Sequence, residues 1–148
     1  GLSPEQTQIA EEVLKEIKRV LKDGGLLFLH PGLYYSSSGS HLGEFSSEPF
    51  VHLTKTEEEL REIVFTTEPN YIDRGGLQYK PEDFWRYYKE LNRITVSEIE
   101  KKLKDLGFEF RKVAVRTEDL VVYDKPLQKY SIQDLTTREL YLSLVNRK

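Results

Sequence analysis

The stretch from Glu11 to Gly32, EEVLKEIKRVLKDGGLLFLHPG, constrains the fold of this chain more than any other. Ile9, Val13, Ile17, Val20 and Leu21 recur at helical spacing, which predicts one apolar helix face. Lys15, Lys18, Arg19 and Lys22 fall mostly off that face and gather toward its end, where cations suit the helix dipole. Ser3-Pro4-Glu5-Gln6 supplies a start: Ser3 can cap, Pro4 fits the first helical position, and Gln6 completes a capping box. Gly24 and Gly25 stop the helix, one of them suited to the left-handed conformation. The apolar run Leu26–Leu29 follows at once. Such a run after a helix and a tight turn predicts a strand buried on both faces, in an α/β fold.

The character changes after that strand. His30 to Pro49 holds Pro31, Gly32, Tyr34, Tyr35, serines 36–38 and 40, Gly39 and His41, and reads as a long loop with aromatic and hydroxyl side chains. A loop of that length inside a domain is usually functional or disordered. Thr56 with Glu59 is a capping box that opens a short helix to about Phe65, its acidic run Glu57–Glu59 suited to a solvated first turn. Glu68 to Lys80, with Pro69, Asn70, Gly75 and Gly76, reads as another loop. Pro81 opens a helix whose Phe84, Trp85, Tyr88 and Leu91 share a face, and Thr95 with Glu98 opens one that ends at Gly107. Phe108–Val115 and Leu140–Val145 read as strands, while Asp119 to Gln133 is open between strand and loop because Pro126 interrupts it. No internal repeat or linker divides residues 1–148, so a single domain is expected.

Composition narrows the partners. A formal net charge of −3 gives no broad cationic surface, which argues against nucleic acid. No apolar run is long enough to span a bilayer, so no membrane segment is expected. The absence of cysteine removes disulfides, thiolate metal sites and a cysteine nucleophile, and fits a reducing, cytoplasmic setting. Methionine is absent too, which favours a piece cut from a longer protein.

The order of these elements, with the phrases Arg19-Val20-Leu21-Lys22, Tyr34-Tyr35-Ser36, Gly39-Ser40-His41-Leu42, Pro49-Phe50-Val51-His52-Leu53 and Leu91-Asn92-Arg93-Ile94-Thr95, resembles the carboxyl-terminal half of a class I S-adenosylmethionine-dependent methyltransferase. The resemblance implies a partial Rossmann-like sheet. Leu26–His30 would be its fifth strand, Phe108–Val115 the sixth, and Glu139–Arg147 an antiparallel seventh lying between them. Helices would flank the sheet, with an inserted helical and loop region at about 31–94. It also implies that S-adenosylmethionine binds only the full-length parent. The family's Gly-rich loop and ribose-binding acid would lie in an amino-terminal half, and this sequence has no G-x-G-x-G loop. The partner is then that missing half, or a second copy paired through the orphaned sheet edge, and the substrate a small-molecule methyl acceptor.

His30, Tyr34, Tyr35, His41 and His52 are the first site candidates, because ligands of open α/β sheets bind beyond the carboxyl ends of the strands. A histidine there can serve as general base. The plainer reading is that the tyrosines cover the sheet edge and His30 or His52 caps a turn. Asn92 and Arg93 can bind an anionic group of the acceptor, or simply stabilise the turn into a helix. Trp85, Tyr87 and Tyr88 line a lid, or the aromatic stripe is the buried face of its helix. The three histidines match no compact metal motif, and no metal is expected. No serine sits in a G-x-S-x-G elbow. The expected function is the substrate-side portion of a methyltransferase, inactive alone, with no catalytic residue assigned. A stand-alone binding module is the alternative, and a small hydrolase around His30 and His41 ranks last.

Overall fold

The structure, a computed structural model, describes residues 4–70, 73–74, 77–78 and 80–148, with side chains over 11–70 and 80–148. The cap expected from Ser3 and Gln6 therefore lies outside the described side chains. Helix α1 (Pro4–Val20) leads into β1 (Leu26–Leu29). Then come α2 (Val51–Thr54), α3 (Glu57–Thr66), the two-residue strands β2 (Asp73–Arg74) and β3 (Leu77–Gln78), α4 (Pro81–Glu90) and α5 (Val96–Asp105). Strand β4 (Phe108–Thr117), a 3-10 turn (Lys125–Leu127), α6 (Ile132–Thr136) and β5 (Thr137–Asn146) complete the order.

The main sheet has three strands in the order β1-β5-β4, and both outer strands run antiparallel to β5. The last strand thus lies between the other two, the order that the resemblance implies. Alternation along these strands puts Leu27, Leu29, Phe108, Phe110, Leu140, Leu142 and Leu144 in one cluster with Leu14 and Ile17 of α1, Leu21 just after it, and Ile99 and Leu103 of α5. A register shift between Phe110 and Lys112 keeps this pattern in β4. The extra residue, Arg111, lets Phe108, Phe110, Val113 and Val115 all share the helix side.

Two expectations are corrected. The stripe in contact with the sheet is Leu14 and Ile17 of α1 and Leu21 just beyond it, spaced three and four apart, while Val13 and Val20 are exposed. Strand β1 is covered on one face only. Leu26 and Phe28 alternate onto the other face and remain 47% and 71% exposed, joined there by Tyr141 of β5. A continuous apolar run cannot by itself show whether one face or two is covered.

The turn after α1 is fixed from the far end of the chain. Asn146, fully buried, donates through Nδ2 to the carbonyls of Lys18, Leu21 and Lys22, and its Oδ1 accepts from Lys18 Nζ at 3.0 Å. These are carbonyls that a helix end leaves without intrahelical partners. Gly24, at φ +77°, donates to the Asn146 carbonyl at 2.7 Å, so the glycine stop and the final strand form one joint.

Other local signals act where they were read. Thr56 Oγ1 accepts from the Glu59 amide at 3.1 Å, and Thr95 Oγ1 from the Glu98 amide at 3.2 Å. The start of α5 receives a second cap, as the Val96 amide donates to Asp134 of α6 at 3.1 Å. Within the 68–80 stretch, read as a loop, Asp73–Arg74 pairs with Leu77–Gln78 as a short ladder. The open stretch 119–133 forms a 3-10 turn and the start of α6, not a strand.

Candidate functional site

The loop from Pro31 to Phe50 is built from consecutive turns. The Ser36 amide donates to Leu33 O, Gly39 to Ser36 O, His41 to Ser38 O, and Phe50 to Ser37 O at 2.9 Å. A side chain at Gly39 would put a Cβ 2.0 Å from the Tyr34 carbonyl oxygen, so only glycine fits. His41 takes φ 56°, the left-handed region in which histidine is enriched among non-glycine residues. Ser36 Oγ donates to Leu33 O, the Leu42 amide donates to Ser40 Oγ, and Ser37 Oγ donates to the Glu118 carboxylate. The loop is thereby pinned to the segment that follows β4.

Antiparallel pairing of β1 with β5 sets Leu29 opposite Leu142 and brings the carboxyl end of β1 beside the amino end of β5. Between these ends and the turns lies a cleft of about 270 Å3, lined in part by His30, Ser36, Ser38, His41, Arg138 and Glu139. His30 stacks on Tyr141 with ring centroids 4.2 Å apart and an interplanar angle of 20°. Glu139 is bonded to Arg116 at 2.9 Å, and that guanidinium holds its carboxyl below the ordinary range.

The remaining candidates lie elsewhere. Tyr34 and Tyr35 are buried in a second cluster with Phe45, Phe84 and Tyr88, and buried His52 packs against Tyr34. The hydroxyls of Tyr34 and Tyr88 are 2.9 Å apart. The Tyr34 ring meets those of Tyr35 and His52 edge-on, at 5.1 and 4.7 Å. Arg93 lies over the Tyr34 ring at 4.6 Å and the Tyr88 ring at 5.8 Å. His52 Nε2 lies 2.5 Å from the Tyr34 carbonyl oxygen, which only accepts, so Nε2 carries the ring proton and Nδ1 is left as a buried acceptor without a partner. Burial first, then the charges of Arg93 and His41, pushes the His52 pKa down to about 4, against the raising effect of that carbonyl bond. Burial and the Tyr88 hydroxyl push the Tyr34 phenol upward, so it stays protonated. Asn92 is exposed, and its Oδ1 accepts from the Ile94 amide at 2.9 Å, which is the turn role.

Of the residues singled out in the sequence, the structure therefore brings His30 and His41 to one cleft. It puts Tyr34, Tyr35 and His52 in a buried cluster, with half-buried Arg93 over its rings, and leaves Asn92 in a turn. The buried stripe of α4 is Phe84 and Tyr88, with Trp85 partly buried against it. Sequence reasoning missed Arg138 and Glu139. The available signal was the expected antiparallel pairing of the last strand with the first, which sets their residues beside His30. The cleft residues present imidazole, hydroxyl and guanidinium groups and the Glu139 carboxylate paired with Arg116, a set able to hydrogen-bond a small polar group. Among the described residues no group of three or more His, Asp or Glu side chains is placed to hold a metal ion. None of the described helices is long and apolar enough to cross a membrane. No family model, no curated protein and no solved structure matches this chain.

Proposed function

We propose that this chain is the acceptor-side, carboxyl-terminal portion of a cytoplasmic S-adenosylmethionine-dependent methyltransferase, inactive until other residues supply the cofactor site. The observation that carries the reading is the order β1-β5-β4, with the final strand antiparallel between the other two and α1 and α5 on one face. That arrangement fits the fifth, seventh and sixth strands of a Rossmann-like methyltransferase sheet. The cleft at the carboxyl end of β1 supports it, since ligands of open α/β sheets bind there. This chain's own residues do not fit the cofactor: the sequence holds no G-x-G-x-G loop to approach it closely. In this reading His30 and His41 face the acceptor, hold it, and take up its proton if one must leave. Much of the rate would come from positioning and exclusion of water. Titration calorimetry tests the reading. The 148-residue chain is expected to show no S-adenosylmethionine binding tighter than about 1 mM, while a longer parent polypeptide binds it. Tight binding by the isolated chain, or none by the parent, overturns the proposal.

A second reading has its own observation. Leu26, Phe28 and Tyr141 form an exposed apolar strip on the uncovered face of the sheet. In this reading the chain is an interaction module that covers that strip, and the edge of β1, with a partner or a second copy.

A further inference from the structure

We propose that the cleft between the end of β1 and the start of β5 is an anion-binding site in which Arg138 anchors a carboxylate or phosphate group of a small molecule. This deepens the acceptor-side reading by giving the acceptor a charge. The cleft has one committed carboxylate and one uncommitted cation. Glu139 is bonded to Arg116 at 2.9 Å. Arg138 is exposed at the cleft and makes no hydrogen bond or ion pair among the described residues.

The backbone is arranged to deliver this side chain. Arg116 pairs with Glu139, and Thr117 pairs with Thr137, so the ladder skips Arg138. Arg138 is the extra residue of a bulge, a device that re-aims a side chain at the edge of a site. Opposite it, the His41 backbone is held at φ 56° by the turns described above, and His30 is held by its stack on Tyr141. The His30 imidazole offers an N–H donor, and Ser38 adds a hydroxyl. Ser36 is already engaged with Leu33 O and is not counted. A guanidinium fork matches the paired oxygens of a carboxylate or phosphate. At about 270 Å3 the cleft falls just below the size range of drug-sized pockets, which restricts the ligand to a small molecule.

The test uses proton NMR of the His30 and His41 ring signals in the 148-residue chain, at constant pH. Sodium phosphate and sodium benzoate are titrated separately, with sodium chloride balancing ionic strength. Saturable shifts of both rings with phosphate identify a phosphate ligand, and shifts with benzoate a carboxylate. R138Q should weaken the response about tenfold or more, and R138K should retain part of it. Thermal melts should show R138Q folded as the parent is, because Arg138 anchors nothing among the described residues. Equal shifts with chloride alone, or an R138Q response equal to the parent's, overturns the proposal. The two proposals fail separately. Anion binding here, with no S-adenosylmethionine binding by the longer parent, leaves this site standing and ends the methyltransferase reading. Cofactor binding by the parent with no anion response in this cleft does the reverse.

Discussion

Leucines and isoleucines with Phe108 and Phe110 fill the layer between the sheet and helices α1 and α5, whereas the neighbouring cluster adds tyrosines, a histidine and an arginine to its leucines, valines and phenylalanines. The first is held by area removed from water, which is non-directional and indifferent to pH. The second also depends on directional contacts: the Tyr34–Tyr88 hydroxyl bond, the His52 bond to the Tyr34 carbonyl, and Arg93 over two rings. It retains two buried nitrogens without partners, His52 Nδ1 and Arg93 Nε. A buried polar atom left unpaired costs about 1–3 kcal/mol. Similar burial thus hides different vulnerabilities. The layer should respond to lost volume, and the aromatic cluster to protonation.

The largest effect is expected in the layer. Leu144 is fully buried on the central strand, between α1, α5 and both neighbouring strands. Leu144→Ala should lower stability in urea by about 2–5 kcal/mol, equally at pH 7 and pH 5. A loss below about 1 kcal/mol would show that the layer is loosely packed and that the contrast is unsound.

The next effect separates the regions by pH. The His52 proton affinity is lowered on folding, from the ordinary 6.5 to about 4. Between those values the unfolded chain binds more protons, so stability rises with pH. The contribution is fully present above about pH 6.5 and is lost as pH falls toward 4, on a scale of about 3 kcal/mol. The carboxyls of Glu57 and Glu139 are held low by Lys89 and Arg116 and add their own acid sensitivity, so the informative quantity is a difference. His52→Gln should flatten the stability curve between pH 6.5 and 4 relative to the parent chain. Identical slopes in the two proteins would remove His52 as the cause.

The smallest effect on stability is expected one residue from the layer, on the same strand. Phe28 is 71% exposed on the uncovered face, while its neighbour Leu27 packs against the helices. Phe28→Ala should change stability by no more than about 0.5 kcal/mol. It should reduce concentration-dependent association measured by light scattering, because it removes the largest exposed apolar group on that face. Unchanged association would move the contact away from this strip.

The legible parts of the fold were those with short sequence range. The helix stop at Gly24-Gly25, the Thr56 and Thr95 caps, the start at Pro81 and the strand alternation in Leu140, Leu142 and Leu144 each follow from residues a few positions apart. The candidate site was half legible. His30 and His41 lie near each other in sequence and share a cleft, but Arg138 joins them from about a hundred positions away through the β1–β5 ladder. Tyr34, His52 and Arg93 looked like cleft residues because side-chain type is the same in a pocket and in a polar cluster. The burial of Tyr34 and His52 depends on α4, α2 and the 121–135 segment closing over them.

By itself the sequence determined α1, α3, α4, α5 and the three strands of the main sheet, and the Gly24-Gly25 stop, but not α2, α6 or the 73–78 ladder. Backbone propensity, capping and hydrophobic period act within a turn or two of chain. Only the tertiary structure decided which faces those elements cover. Strand β1 is apolar throughout, yet Leu27 is packed and Phe28 is open, because α1 and α5 both lie on one side of the sheet. It also decided that Asn146 closes the end of α1 and that the bulge at Arg138 faces the histidine turns, since those contacts depend on strand register, which spans nearly the whole chain.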